Sequence, residues 1–231
     1  VRDLVLAFTA CNRPGYLGQV LESWENVRGI GDVPVVFRAE PGFPQVHAMC
    51  REAFGGRADF HLNRRRLGEA HNQWLTIETA FATGTDFVVL AEDDDLVSAD
   101  VIEYFTWAAD RFRDRPEVLA AATWREHRIP GGQAGAELAG FFPCNVWGTW
   151  RDRWENTVRD DWHASYMRDG WDTRLNLYWV QERGYKVVLP CESRCQNIGE
   201  YGGAHGDGVR AQSDCWAADI PPQEYAEVTG A

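Results

Sequence analysis

Five apolar residues in unbroken succession, Phe87-Val88-Val89-Leu90-Ala91, run directly into four acids, Glu92-Asp93-Asp94-Asp95. A short apolar run without polar alternation is the pattern of a strand buried on both faces. Such strands belong to parallel sheets covered by helices, so this run constrains the fold more than any other stretch. It also places a dense negative charge at the strand's carboxyl end, where open α/β sheets bind their ligands.

The flanking sequence supports that reading. Residues 4–8 form an apolar, strand-like run, followed by the turn Asn12-Arg13-Pro14-Gly15 with its proline suited to a first helical turn. Tyr16, Leu17, Val20, Leu21 and Trp24 then recur at helical spacing. Further strands are expected at 33–37, 59–62 and 118–123, and further helices at 46–54, from Ala70 to Phe81, and from Val101 to Phe112, the last capped by Ser98. Strand and helix alternate through this half, which predicts an α/β fold with a mostly parallel central sheet and flanking helices. The second half is less regular. An aromatic stretch covers 141–150, a helix is expected at 172–183 and a strand at 185–189. Residues 199–208 hold five glycines and read as a mobile loop. A single domain is expected, with a nucleotide-binding half (1–125), a catalytic half (126–216) and a loosely held tail (217–231).

With 45% hydrophobic residues over 231 positions the chain can build a substantial core. The net charge of -12 argues against nonspecific nucleic-acid binding, although Arg64-Arg65-Arg66 is a local basic stretch. No apolar run is long enough to cross a membrane, and residues 1–8 read as a strand and not as a signal peptide. A cytoplasmic or otherwise soluble location is expected. The six cysteines contain no Cys-x-x-Cys pair and read as free thiols, with a zinc site at Cys191, Cys195 and His205 as the lesser alternative.

Adjacent aspartates after a buried strand repel one another unless a cation or hydrogen-bond donors compensate. A hard divalent cation, Mn2+ or Mg2+, bound by one or two carboxylates keeps positions for substrate phosphates and can neutralise a diphosphate leaving group. The competing structural reading is a helix-capping run, with Asp95 and Asp100 near a positive helix end.

The stretch from Glu92 to Phe105 resembles the acidic motif and following helix of N-acetylglucosaminyltransferase I and its relatives. Other pieces follow in the same order: Ala10-Cys11-Asn12-Arg13, the strand ending in Glu40, His71-Asn72-Gln73-Trp74, Phe141-Phe142-Pro143, Trp171-Asp172, the run Pro190, Glu192, Ser193, Arg194, and Ala204-His205-Gly206. The resemblance implies a GT-A fold and an inverting, metal-dependent transfer of sugar from a nucleotide-sugar, a UDP-sugar, to an acceptor hydroxyl. It implies that Asp95 ligates the metal while Asp93 and Asp94 contact ribose, sugar hydroxyls or metal-bound water. Arg13 would meet the nucleotide or diphosphate, Glu40 the uracil or ribose, and His71 the nucleotide. His205 would close over the donor, and Asp172 would be the general base, with Asp160 and Asp161 as a rival pair. The acceptor is expected to be a glycan or protein hydroxyl, or a hydroxylated nucleobase in DNA.

Two other classes compete. A nucleotidyltransferase shares such a sheet and acidic site, but it needs a Gly- and basic-rich phosphate loop, and residues 12–16 supply one Arg and one Gly. A noncatalytic carbohydrate-binding module would use the aromatic second half.

Overall fold

The computed structural model describes residues 4–165, 170–201 and 212–228. Its first half is the expected alternation: β1 (Leu4–Ala10), α1 (Pro14–Glu25), β2 (Val35–Ala39), α2 (Pro44–Glu52), β3 (Asp59–Leu62), α3 (Glu69–Phe81) and β4 (Phe87–Ala91). A short β5 (Asp95–Val97), α4 (Val101–Arg111) and β6 (Val118–Ala122) follow. Every residue of β1, β2, β4 and β6 is buried, as the unbroken apolar runs require.

The second half adds β7 (Gly135–Ala139), β8 (Trp147–Trp150) and α5 (Arg151–Arg153), which runs through π-helical turns (Trp154–Val158) into α6 (Arg159–Ser165). Next come α7 (Trp171–Arg174), continued by π-helical turns (Leu175–Glu182), then β9 (Lys186–Pro190), β10 (Cys195–Asn197) and β11 (Ala226–Glu227). Nine strands form one sheet in the order β11-β7-β9-β6-β8-β4-β1-β2-β3, and β5 pairs with β10 in a separate ribbon. The block β4-β1-β2-β3 is parallel throughout.

Alternate residues of each buried strand point to opposite faces. Leu4, Leu6 and Phe8 pack with Trp24, Phe37, Phe87 and Phe105 beneath α1, α2 and α4. Val5 and Ala7 join Ile77, Phe81, Trp154, Trp162 and Trp171 on the other face, beneath α3 and the later helices.

Two expectations are corrected, one is refined, and one strand was not foreseen. The strand β8 lies in the aromatic stretch 141–150, where no strand was expected, and inserts antiparallel between β4 and β6. Gly148 permits the insertion, because a Cβ there would stand 2.5 Å from the Phe87 ring. Ser98 does not cap α4: the cap position is Asp100, and the Ser98 hydroxyl instead donates to the Asp100 carboxylate at 2.5 Å. The helix expected at 172–183 is present, and most of it is π-wound. Over its described residues, 217–228, the tail is not loose. Ile220 is fully buried, Ala99 N–H donates to the Ala218 carbonyl, and β11 adds to β7.

Beneath that tail lies a buried ion pair, Arg194 Nε to Asp100 at 3.3 Å, with neither side chain exposed. The Arg194 guanidinium also donates to the carbonyls of Glu192 and Gln133, and the Tyr225 hydroxyl donates to Asp100 at 2.5 Å. This cluster binds α4, the end of β9 and the tail together. All six cysteines are free thiols.

Candidate active site

Parallel pairing of β4 with β1, and of β1 with β2, brings their carboxyl ends side by side. The loops leaving those ends carry Cys11 to Arg13, Glu40 and the acidic cluster, and α3 packs across β1 beside them. Between them lies a cavity of about 160 Å³ lined in part by Arg13, Glu40, Arg66, Gln73, Glu92 and Asp93.

Arg13 is bonded to two acids of the cluster, donating to Asp94 Oδ2 at 2.8 Å and to Asp93 Oδ1. The Cys11 amide donates to the other Asp93 oxygen at 3.0 Å. Burial disfavours the Arg13 charge, but the two carboxylates outweigh it and hold the guanidinium firmly protonated. Burial raises Asp93 above the usual carboxylate range, and Arg13 opposes that shift.

Asp95 opens β5 and is almost fully buried. Because β5 pairs with β10, Asn197 stands opposite Asp95 and donates to it at 2.9 Å. Asn145 donates to it at 3.1 Å. Burial first, and Asp94 second, push the Asp95 carboxyl up to about 7 despite those two amides. Glu92 is also raised well above its ordinary value, by burial first and then by Glu69, Asp94, Asp95 and Asp93. The ribbon approaches so closely that a Cβ on Gly199 would lie 2.0 Å from Asp94 Oδ2.

The cavity adjoins a neighbouring cleft, with which it shares the lining residues Gly68 and Glu69. That cleft is lined also by His71, Trp171 and Asp172. Asp172 in turn borders a third recess with Trp124, Phe141, Asn145 and Asn176. Trp171, which precedes Asp172, sits in an aromatic stack. Trp171 stacks on Trp162 at 4.4 Å and 14°, and on Trp147 at 5.9 Å, with Phe142 edge-on.

The sequence-predicted residues therefore divide. Arg13, Glu40 and Asp93 share the cavity, Asp94 joins them through Arg13, and Asp95 lies beside them in the ribbon. His71 and Asp172 share the adjoining cleft. His205 and most of the Gly-rich loop lie outside the described residues. Glu40 is already engaged: its carboxylate accepts the amides of Leu67 and Gly68 and the Asn63 side chain, and so fixes the turn before α3. Of the rival acids, Asp161 is held by Arg174 at 3.3 Å, while Asp172 faces two recesses.

The donor set fits a hard divalent cation. It is all oxygen, and its carboxylates outnumber the guanidiniums beside them. Among the described residues no three metal-binding side chains enclose a metal by themselves. Mn2+ or Mg2+ needs no such cage when one or two carboxylates are completed by substrate phosphates.

Two lining residues, Glu92 and Gln73, were given no role from sequence. Glu92 was visible as the first acid of the cluster. Gln73 had no signal beyond its place on the buried face of α3, which only packing against β1 defines.

No protein-family model and no curated protein matches the chain. Among solved structures it is similar to S. aureus TarS 1-349 in complex with UDP-GlcNAc, with TM-score 0.54 and 10% identity over 84% of this chain and 57% of that one. The complex of TarS with UDP matches at TM-score 0.53 and 10% identity, over 84% of this chain and 59% of that one. The chain thus spans less than two thirds of the TarS chain. A CMP:2-keto-3-deoxy-manno-octonic acid synthetase complexed with CTP matches at TM-score 0.47 and 12% identity, over 81% and 88%, too weakly to carry an argument. The likeness to TarS establishes the fold: α/β, GT-A, a mostly parallel sheet with flanking helices.

Proposed function

We propose that this chain is a metal-dependent, inverting glycosyltransferase that uses a nucleotide-sugar donor, a UDP-sugar. The observation that carries the reading is a buried acidic cluster beside one cavity with the Asp172 carboxylate in the adjoining cleft. A UDP donor rests on the resemblance to the N-acetylglucosaminyltransferase I family and agrees with the UDP-GlcNAc held by TarS, which shares the fold.

In this reading Asp95, aided by Asp94, holds the divalent cation. The cation, when bound, offsets the charge of the departing diphosphate. Asp93 and Arg13 shape the wall against which the nucleotide lies. Asp172 takes the proton from the acceptor hydroxyl as that oxygen attacks the anomeric carbon, and the tryptophan stack keeps its backbone in register. The acceptor enters by the recess of Trp124, Phe141, Asn145 and Asn176, whose described lining carries no Lys or Arg. That lining suits a neutral glycan or protein hydroxyl better than a hydroxylated base in DNA, whose phosphates call for cations. Arg64 and Arg65 are exposed on the turn before α3, away from that recess.

Calorimetric titration with UDP, GDP and CMP, with and without Mn2+, tests the proposal. Manganese-dependent binding of UDP, lost in Asp95→Ala, is the expected result. Absence of binding by every nucleotide under both conditions would refute it.

A further inference from the structure

The side chain of Gln73 is 1% exposed, lines the cavity beside Arg13 and Asp93, and leaves both its amide nitrogen and its amide oxygen without a hydrogen-bond partner. Among the described residues lining that cavity, it alone holds buried polar atoms in this state. Its neighbours are satisfied. The Asn72 side chain accepts from Asn63 at 2.7 Å, and the Asn72 carbonyl accepts from the Thr76 hydroxyl at 2.6 Å. A buried amide with both ends unpaired carries an uncompensated desolvation cost, tolerated where a ligand completes the bonds.

The chemistry of the missing partner follows from the inventory of Gln73. A carboxamide offers one acceptor and, beside it, one donor in a single plane. A phosphate or carboxylate only accepts, so it would leave Oε1 unpaired. An ammonium only donates, so it would leave Nε2 unpaired. A planar ring edge with an N–H next to a carbonyl fills both at once. Arg13 and Arg66 line the same cavity and can serve the anionic part of the same ligand.

We infer that Gln73 reads the nucleobase of the donor, accepting from the uracil N3–H through Oε1 and donating through Nε2 to a flanking carbonyl. The assignment rests on the nucleotide-sugar reading above and adds to it a specificity residue on α3. Glu40, whose carboxylate is spent on the 67–68 turn, then positions the wall of the base pocket and does not read the base.

The test compares UDP, uridine and N3-methyl-UDP on the wild-type chain and on Gln73→Met, with melting of each ligand-free protein. Met matches Gln in length but has no strong donor or acceptor. UDP and uridine should both lose affinity in Gln73→Met, by the same factor, on the order of 10- to 100-fold. The ligand-free variant should melt no lower than wild type, because an unpaired amide has been removed. N3-methyl-UDP should bind the wild-type chain no better than UDP binds the variant, an arm that requires no substitution to fold. If N3-methylation leaves wild-type affinity unchanged, the partner is a sugar hydroxyl and the inference is overturned. It is equally overturned if Gln73→Met binds UDP as tightly as wild type, or melts lower while keeping its affinity. Failure of the wild-type chain to bind any nucleotide would instead count against the function proposed above.

Discussion

Asp172 and Asp161 have the same side chain and different surroundings. The Arg174 guanidinium engages Asp161, whereas Asp172 opens on two recesses. A general base must reach its proton and must not be held by a fixed cation. Asp172→Asn is therefore expected to bind donor normally and to lose transfer by about 10²- to 10⁴-fold, while Asp161→Asn stays active. Single-turnover transfer beside donor titration checks both, and a dead Asp161→Asn with a live Asp172→Asn would reverse the assignment. Asp95 adds a dependence on pH. Its carboxyl sits at about 7 in the folded chain against an ordinary 3.8. Folding thus takes up a proton between those values. The stability it confers is whole at the acid end and is lost as pH rises through about 7. Without divalent metal, the wild-type melting temperature should fall relative to that of Asp95→Asn between pH 5 and pH 8. Parallel curves would show that Asp95 titrates elsewhere. Metal uptake must displace the same proton, so Mn2+ affinity should weaken as pH drops below 7.

At the scale of the element, what could be read in sequence was what periodicity encodes. Leu17, Val20, Leu21 and Trp24 marked α1 because a helix on a sheet must bury one stripe. The unbroken run of β4 marked a two-sided strand, and the acids after it are neighbours in sequence as in space. The strand β8 was not legible. Trp147-Gly148-Thr149-Trp150 is short, wholly buried and without alternation, so nothing local separates it from a buried loop. Its position depends on Phe87 lying against Gly148, a contact between residues far apart in sequence. Gly148→Ala should accordingly destabilise the chain by about 1–3 kcal/mol, the usual cost of overpacking a core. Urea unfolding measures this, and Phe87→Leu should recover part of the loss in the double variant. Additive effects would show that the two positions do not share the space. Gln73 was illegible for the same reason as β8. Polar residues on amphipathic helices usually face water, and only the docking of α3 on β1 turns this one inward.

At the scale of the whole molecule, the last described residues are part of the structure that holds the site. The Arg194–Asp100 pair joins α4 to the segment leading into β10, and β10 pairs with β5, where Asp95 sits. Both charges are fully buried, so removing one strands the other. Arg194→Met is expected to cost about 3–5 kcal/mol in urea unfolding. Arg194→Met with Asp100→Asn should cost less than Arg194→Met alone. A loss under 1 kcal/mol in the single variant would mean that the pair is solvated. The adjoining cleft holds part of the indole stack, and that has an optical consequence. Trp162 and Trp171 lie 4.4 Å apart and nearly parallel, and Trp171 lines the same cleft as Asp172. Chromophores so close share their excitation, and the coupled pair gives a signed circular-dichroism band whose shape depends on their mutual angle. The chain therefore carries an intrinsic spectroscopic gauge of the cleft beside Asp172, readable without a label as a ligand enters.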